Sequence, residues 1–325
     1  MQKNIKWILV PVAFLLLFSC GFGVFALIRG AHASAPGRAR VTVLAAGVDL
    51  AAENTDVLML VTLDTGEKSI TILQIPRDTY FSADTAQKKI NQLYPHYRRT
   101  EKDPVAALSA VANELSATLG VRIDHVAVVD LDTAAEVVDA MGGVAVDIPV
   151  AIRQMVPNSD RYIELSPGYK TLCGEEAVAF LRHRVGYTEG DLGRINAQRI
   201  LLTAVYRKVR DEMSLSLMGE LIRKGYRGIC TDMPLNEQLK LAGGFYAARR
   251  EYTLTYATLP GEAVQKEESA GIWYYVVNKY AAQKLLSTYF GADGFDPDAR
   301  MLDPSRAHFK NVYYDKNFSY SVKTE

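Results

Sequence analysis

The chain has 325 residues, 49% of them hydrophobic and 23% charged, with 37 Lys and Arg against 37 Asp and Glu. That size suits one large globular domain or two small ones, and a zero net charge argues against a general nucleic-acid binder. Three cysteines with no CxxC, no HExxH and scattered histidines argue against a zinc site, and the lack of a GxxxxGK[ST] stretch excludes a P-loop.

Trp7 to Ile28 is an apolar run of 22 residues, about 33 Å long as a helix and so matched to a bilayer core. Lys3 and Lys6 precede it and Arg29 follows. The run is longer than a usual signal-peptide core, and the apolar Gly21–Ile28 continuing past Cys20 counts against lipid attachment there. The expectation is a single-pass anchor in the cell membrane, residues 1–29, with the bulk of the protein outside the cytoplasm. Residues 30–40 are small and polar and contain Pro36 and Gly37, which suits a linker.

Val41–Gly47 is a β-rich run. Val57–Leu63 is a second, nearly continuous apolar strand, the pattern of burial on both faces. Asp64-Thr65-Gly66-Glu67 turns the chain into a third strand, Ser69–Ile75, which runs into Pro76-Arg77-Asp78. A helix is predicted over Pro104–Leu119 from Val105, Leu108, Val111, Ala112 and Leu115. A strand follows over His125–Leu131, then a helix to about Ala140, a turn at Met141-Gly142-Gly143 and a strand at Val144–Ile148. Leu172–Leu181 reads as a helix, Met213–Leu241 as two more, and Tyr252–Leu259 as an alternating strand. Trp273-Tyr274-Tyr275 and a helix to about Tyr289 close a domain of residues 41–290. Residues 291–325 have loop chemistry, which predicts a poorly ordered or loosely docked tail. The alternation of elements implies an α/β fold, an α/β/α layered domain on a central mixed sheet. Cys173 and Cys230 could form a disulfide outside the cytoplasm or remain two buried thiols.

The chemistry concentrates between Leu181 and Arg199. Arg182 and Arg184 are two apart, so an extended backbone would point both to one side and His183 to the other. A Gly-rich loop leads to Asp191 and Gly193 and into a helix whose Ile195, Leu202, Val205 and Val209 share a face. Arg194 and Gln198 are at i and i+4 on its first turns, hence neighbours. Several guanidinium groups at a helix N-terminus match phosphate or pyrophosphate oxygens. Asp49 and Asp56 flank the loop between the first two strands, and Arg77 sits at the exit of the third, where ligands of layered sheets lie.

Taken in order, Gly47-Val48-Asp49, Thr55-Asp56, Ile75-Pro76-Arg77-Asp78, Lys89-Ile90-Asn91, Gly142-Gly143-Val144, Leu172-Cys173-Gly174 with Glu176-Ala177, Arg182-His183-Arg184 and Asp191-Leu192-Gly193-Arg194 resemble the LytR-CpsA-Psr family of bacterial cell-wall enzymes, from about Val41 to Tyr289. The resemblance implies an α/β/α domain with an apolar cavity for a polyprenyl chain. It also implies transfer of a glycopolymer, such as teichoic acid, from an undecaprenyl-pyrophosphate carrier to peptidoglycan. By the same resemblance Asp49 and Asp56 correspond to carboxylates near a Mg²⁺. Arg77, Arg182, Arg184 and Arg194 correspond to pyrophosphate-binding arginines, with Gln198 assisting. Asp78 and Asp191 are candidates to take the acceptor proton or, alternatively, to orient an arginine. Leu50, Ala51, Asn54 and Ala197 stand where the family often carries arginine. The departures at Ala51, Asn54 and Ala197 favour one alternative, a non-catalytic polyprenyl-phosphate binder; a second alternative is a lipid pyrophosphate hydrolase that uses water in place of the sugar acceptor.

Overall fold

In the computed structural model the described residues are 40–48, 55–156, 160–183, 187, 191–214, 216–217, 220–221, 228–265 and 273–325. The anchor and most of the linker, Asp49, Arg184 and the departures at Leu50, Ala51 and Asn54 lie outside them. Among the described residues no helix is long and apolar enough to cross a membrane.

The first three strands, β1 (Arg40–Val48), β2 (Thr55–Asp64) and β3 (Ser69–Ile75), form an antiparallel meander. Asp64 closes the β2–β3 hairpin: its Oδ1 accepts from the backbone N–H of Gly66 and of Glu67, each at 2.9 Å. This side-chain mimicry of a turn is what favours Asp at the start of such loops. After the meander come α1 (Leu93–Arg98) and α2 (Pro104–Leu119). Helix α2 carries both of its signals: Asp103 accepts from Val105 N–H with Pro104 at the first position, and Gly120 ends it at φ +63. Strand β4 (His125–Asp130) and helix α3 (Leu131–Ala140) follow.

Next come β5 (Val144–Ile148), β6 (Ile152–Met155), β7 (Tyr162–Leu165) and β8 (Gly168–Leu172), which pair as two nested ladders, β5 with β8 and β6 with β7. Helices α4 (Gly174–Arg182) and α5 (Asp191–Glu212), strand β9 (Ile229–Thr231) and helix α6 (Leu235–Ala248) complete the middle of the chain. Strands β10 (Thr253–Thr258), β11 (Gly261–Gln265) and β12 (Trp273–Val277) lead to helices α7 (Lys279–Phe290), α8 (Asp298–Met301) and α9 (Ala307–Tyr313) and to a last strand, β13 (Val322–Thr324).

Seven strands form the central mixed sheet in the order β13-β10-β3-β2-β1-β4-β9, with β1/β4 and β3/β10 parallel and the other pairs antiparallel. Side chains alternate along each strand, so one strand feeds two cores. Val41, Val43 and Ala45 pack with Phe180, Leu201, Val205 and Phe245 from α4, α5 and α6. Leu44, Ala46 and Val48 pack with Leu108, Leu115, Leu285 and Phe309 from α2, α7 and α9. Helices therefore cover both faces, which is why β1 reads as an apolar run and why Leu254 to Ala257 of β10 are all buried rather than alternating.

Several sequence expectations need correction. The region predicted as two helices contains β9, which pairs with β4 through Ala127–Thr231 and Val129–Ile229, before α6 begins. No disulfide joins Cys173 and Cys230, and both are exposed rather than buried. Residues 291–325 are firmly docked. Phe309 and Tyr313 are 0% exposed, and Phe309 meets Tyr80 and Tyr274 edge to face at 5.6 and 5.8 Å. Asn278, at the N-terminus of α7, donates from Nδ2 to the Val312 and Asp315 carbonyls. Where the tail starts, Asp293 N–H donates to Gly120 O at 2.9 Å, and a Cβ on Gly120 would lie 2.5 Å from Asp293 O. Glycine is required there twice over, for its φ and for the approach.

Candidate functional site

The sheet topology brings the strand ends next to Asp56 and Arg77 to one edge. Strands β1, β3, β4 and β10 all end there, and β2 begins there: Val48 pairs with Thr55 and Asp130, Ile75 with Leu58, and Thr258 with Gln74. At the β1–β2 start the register slips, Gly47 facing Val57 and Val48 facing Thr55, so Asp56 is the extra residue of a bulge. Bulges of this kind often lie next to functional sites. The pairing of Val48 with Thr55 brings the backbone just before Asp49 alongside that of Asp56. Among the described residues no cluster of three or more His, Cys, Asp or Glu side chains could hold a metal.

Strand β3 exits through Pro76 into a tight turn in which Thr79 N–H and Oγ1 both donate to Pro76 O, at 3.0 and 2.6 Å. The backbone of Arg77 and Asp78 is pinned from two sides: Asn91 N–H donates to Arg77 O at 3.2 Å and Tyr275 N–H to Asp78 O at 2.8 Å. The Asp78 carboxylate is occupied by cations, with Lys89 Nζ at 2.7 Å and Arg77 Nε at 3.5 Å. Its geometry is that of a residue that orients Arg77 and Lys89. The partnership of Lys89 with Asp78 was not legible from the Lys89-Ile90-Asn91 stretch alone.

Arg182 does not sit on an extended backbone. It is the last residue of α4, because the buried stripe Ala177, Phe180 and Leu181 carries the helix that far. His183 caps the helix in an extended conformation, donating from its N–H to Ala179 O, and is itself 5% exposed. The alternating geometry expected of Arg182 and Arg184 therefore fails at Arg182, and Arg184 lies outside the described residues.

Helix α5 runs antiparallel to β3 and β10. Tyr206 on it donates to Tyr252 O at the start of β10, and Gln198 meets Gln74 near the end of β3. Its N-terminus thus lies at the edge where β3 exits toward Arg77. Asp191 is the first residue of this helix. Gly193 lets the ring of Tyr187 close on the first turn: a Cβ there would lie 2.3 Å from Tyr187 Cβ. Arg194 and Gln198 are each 1% exposed, and Arg194 is among the largest fully buried side chains. Burying a guanidinium is costly without anionic or hydrogen-bonding partners, so its presence here requires them. Ala197 is buried in the apolar core between these two.

A chain of hydrogen bonds fixes the glutamine. Tyr256 Oη donates to Gln74 Oε1, and Gln74 Nε2 donates to Gln198 Oε1. Gln198 Nε2 is buried and makes no hydrogen bond among the described residues. Burial raises the Tyr256 pKa well above its ordinary value, with Arg199 opposing the rise, so the phenol remains a donor. Gln74 and Tyr256 escaped the sequence reading. The available signal was a lone glutamine inside the apolar strand Ile-Thr-Ile-Leu-Gln-Ile.

A mixed sheet between helical layers, with a buried arginine and amide at one edge, is a scaffold for holding an anionic ligand beyond the strand ends. The same fold occurs in the crystal structure of Bacillus subtilis TagV, at a TM-score of 0.61 and 22% identity, covering 79% of this chain and 100% of that one. The chain belongs to the LytR_cpsA_psr family, whose model matches residues 30–290. It is 27% identical to the polyisoprenyl-teichoic acid–peptidoglycan teichoic acid transferase TagU of Oceanobacillus iheyensis, over 73% of this chain and 70% of the relative. It is 31% identical to the transferase of the same description, TagV, of Bacillus subtilis, over 58% of this chain and 47% of that protein.

Proposed function

We propose that the protein moves an anionic glycopolymer, such as teichoic acid, from an undecaprenyl-pyrophosphate carrier to peptidoglycan, at the outer surface of the cell membrane. The observation that carries this reading is the burial of Arg194 and Gln198 side by side at the start of α5, at the edge where β3 exits to Arg77. Family membership and the transferase names of the TagU and TagV relatives support it.

In this reading an acceptor hydroxyl attacks the phosphorus that bears the polymer. The new P–O bond forms as the bridging P–O bond to the lipid phosphate breaks. The lipid phosphate leaves, and the polymer keeps one phosphate as a diester. Arg77, Arg182, Arg184 and Arg194 hold the phosphoryl oxygens, where fixed cations offset the charge that spreads in the transition state. Gln198 Nε2 adds a neutral donor. Asp78 is engaged by Lys89 and Arg77, so its role is to orient them, which leaves Asp191 as the carboxylate to accept the hydroxyl proton. Asp49 and Asp56 would hold a Mg²⁺, which when bound supplies further neutralisation of pyrophosphate charge.

The test incubates the 325-residue chain in detergent with lipid-linked glycopolymer, Mg²⁺ and peptidoglycan fragments. Transfer of phosphate-linked polymer is the expected product. Hydrolysis to free polymer phosphate alone, or binding without turnover, would replace this reading with a hydrolase or a regulator.

A further inference from the structure

A cleft of about 550 Å³, within the range of small-ligand pockets, opens against α5 at Ile195, Asn196 and Arg199. One wall is the second turn of α5 with the end of β10; the other is the segment 318–323. That second wall lies beyond residue 290, where the family match stops. Its chemistry is specific. Tyr256 and Tyr275 bond inward through their hydroxyls, to Gln74 and to Leu259 O, so what they present is ring surface. Phe318 and Tyr320, half-buried, add further aromatic surface from the opposite side, and Ser319 and Ser321 add hydroxyls.

The charge is one-sided. Arg199 and Lys323 line the cleft, and no carboxylate is among its lining residues. Arg199 binds only the Asn196 side-chain oxygen, through Nε at 3.1 Å and Nη2 at 2.8 Å, and has no carboxylate partner among the described residues. Aromatic faces with hydroxyl donors suit the alternating apolar and polar faces of sugar rings, and unpaired cations suit phosphate or carboxylate groups on them. The Tyr256–Gln74–Gln198 hydrogen bonds tie this cleft to the candidate pyrophosphate site.

We propose that the cleft between the start of α5 and the segment 318–323 is a subsite for an anionic saccharide, seating one of the two reacting polymers next to the phosphoryl group. The proposal deepens the transferase reading and rests on it. The same chemistry is offered by the phosphate-bearing donor glycopolymer and by the carboxylate-bearing acceptor glycan, so both are probes.

The 325-residue chain in detergent is titrated by calorimetry with lipid-free glycopolymer fragments and, separately, with muramidase-released peptidoglycan fragments. The expectation is that one of the two binds. Arg199→Gln and Lys323→Gln should each weaken it by about 3- to 10-fold, and the double variant by about 10- to 100-fold. The KM for that polymer in the transfer assay should rise in step, with kcat little changed. Lys323→Gln alters an exposed side chain on an edge strand, so it keeps the test readable should Arg199→Gln fail to fold. Binding that depends on these cations without any transfer would remove the transferase reading and leave the subsite standing. Transfer by a double variant with wild-type KM for both polymers, or no binding of either fragment, would remove the subsite and leave the transferase reading standing.

Discussion

Replacing Gln74 by leucine tests the polar chain that positions Gln198. The variant removes both the acceptor for Tyr256 Oη and the donor to Gln198 Oε1, in a layer where all three residues are buried. Each orphaned buried group costs about 1–3 kcal/mol, so Gln74→Leu should destabilise by about 2–5 kcal/mol after the small gain from the apolar side chain. Tyr256→Phe orphans only Gln74 Oε1 and should cost about 1–2 kcal/mol. In the double variant the phenol is gone as well, leaving Gln198 Oε1 as the single orphan. The double should therefore be no less stable than Gln74→Leu alone, a coupling of at least about 1–2 kcal/mol. Thermal unfolding of the four proteins measures it, at roughly 2–4 °C per kcal/mol for a domain of this size. Transfer should fall about 10-fold in Gln74→Leu as Gln198 loosens, since misplacing a binding group costs rate as well as affinity. Strictly additive costs, or an unchanged melting temperature in Gln74→Leu, would refute the chain.

Arg194→Met should lower kcat/KM for transfer by about 100-fold or more, the loss of one or two charge-assisted bonds to phosphoryl oxygens; activity within threefold of wild type would take Arg194 out of the site. Phe309→Ala empties a fully buried ring site and should destabilise the domain by about 3–5 kcal/mol, seen as a lower unfolding temperature; no change would mean that the tail contributes nothing. Lys89→Met should reduce transfer while leaving hydrolysis-resistant binding of the lipid carrier in place, because it frees Asp78 rather than removing an arginine; equal loss of both would assign Lys89 to carrier binding itself. A reductant should leave the unfolding temperature unchanged and thiol titration of the native chain should reach both Cys173 and Cys230; a shift on reduction would reveal a disulfide.

Much of the fold was legible because its signals are local. Strand β3 was legible from the Asp64 turn and Pro76, and helix α2 from the helical spacing of Val105, Leu108, Val111, Ala112 and Leu115. Strands β6, β7 and β9 were missed because three or four residues carry too little periodicity to stand out from a loop. The tail was misread for a different reason. Phe309 buries itself against Tyr80 and Tyr274, partners that lie elsewhere in the chain, while much of the tail around it has the composition of turns. At the site, the i, i+4 spacing of Arg194 and Gln198 was sufficient to place them together. Lys89 and Gln74 act through tertiary contacts with Asp78 and Gln198, which spacing cannot reveal.

The orientation of β1 bears on the proposed membrane anchor. Arg40 begins β1 opposite Asp64, at the rim of the sheet away from the edge where Val48, Ile75 and the start of α5 gather. Nine strand residues separate the two rims, about 30 Å. Under the proposed reading of residues 1–29 as an anchor, a tether reaching Arg40 would join the domain at the rim remote from the candidate site. Reaching a lipid headgroup would require the domain to recline on the membrane, so shortening or stiffening residues 30–40 should throttle transfer from membrane-embedded carrier while sparing a short-chain, water-soluble analogue.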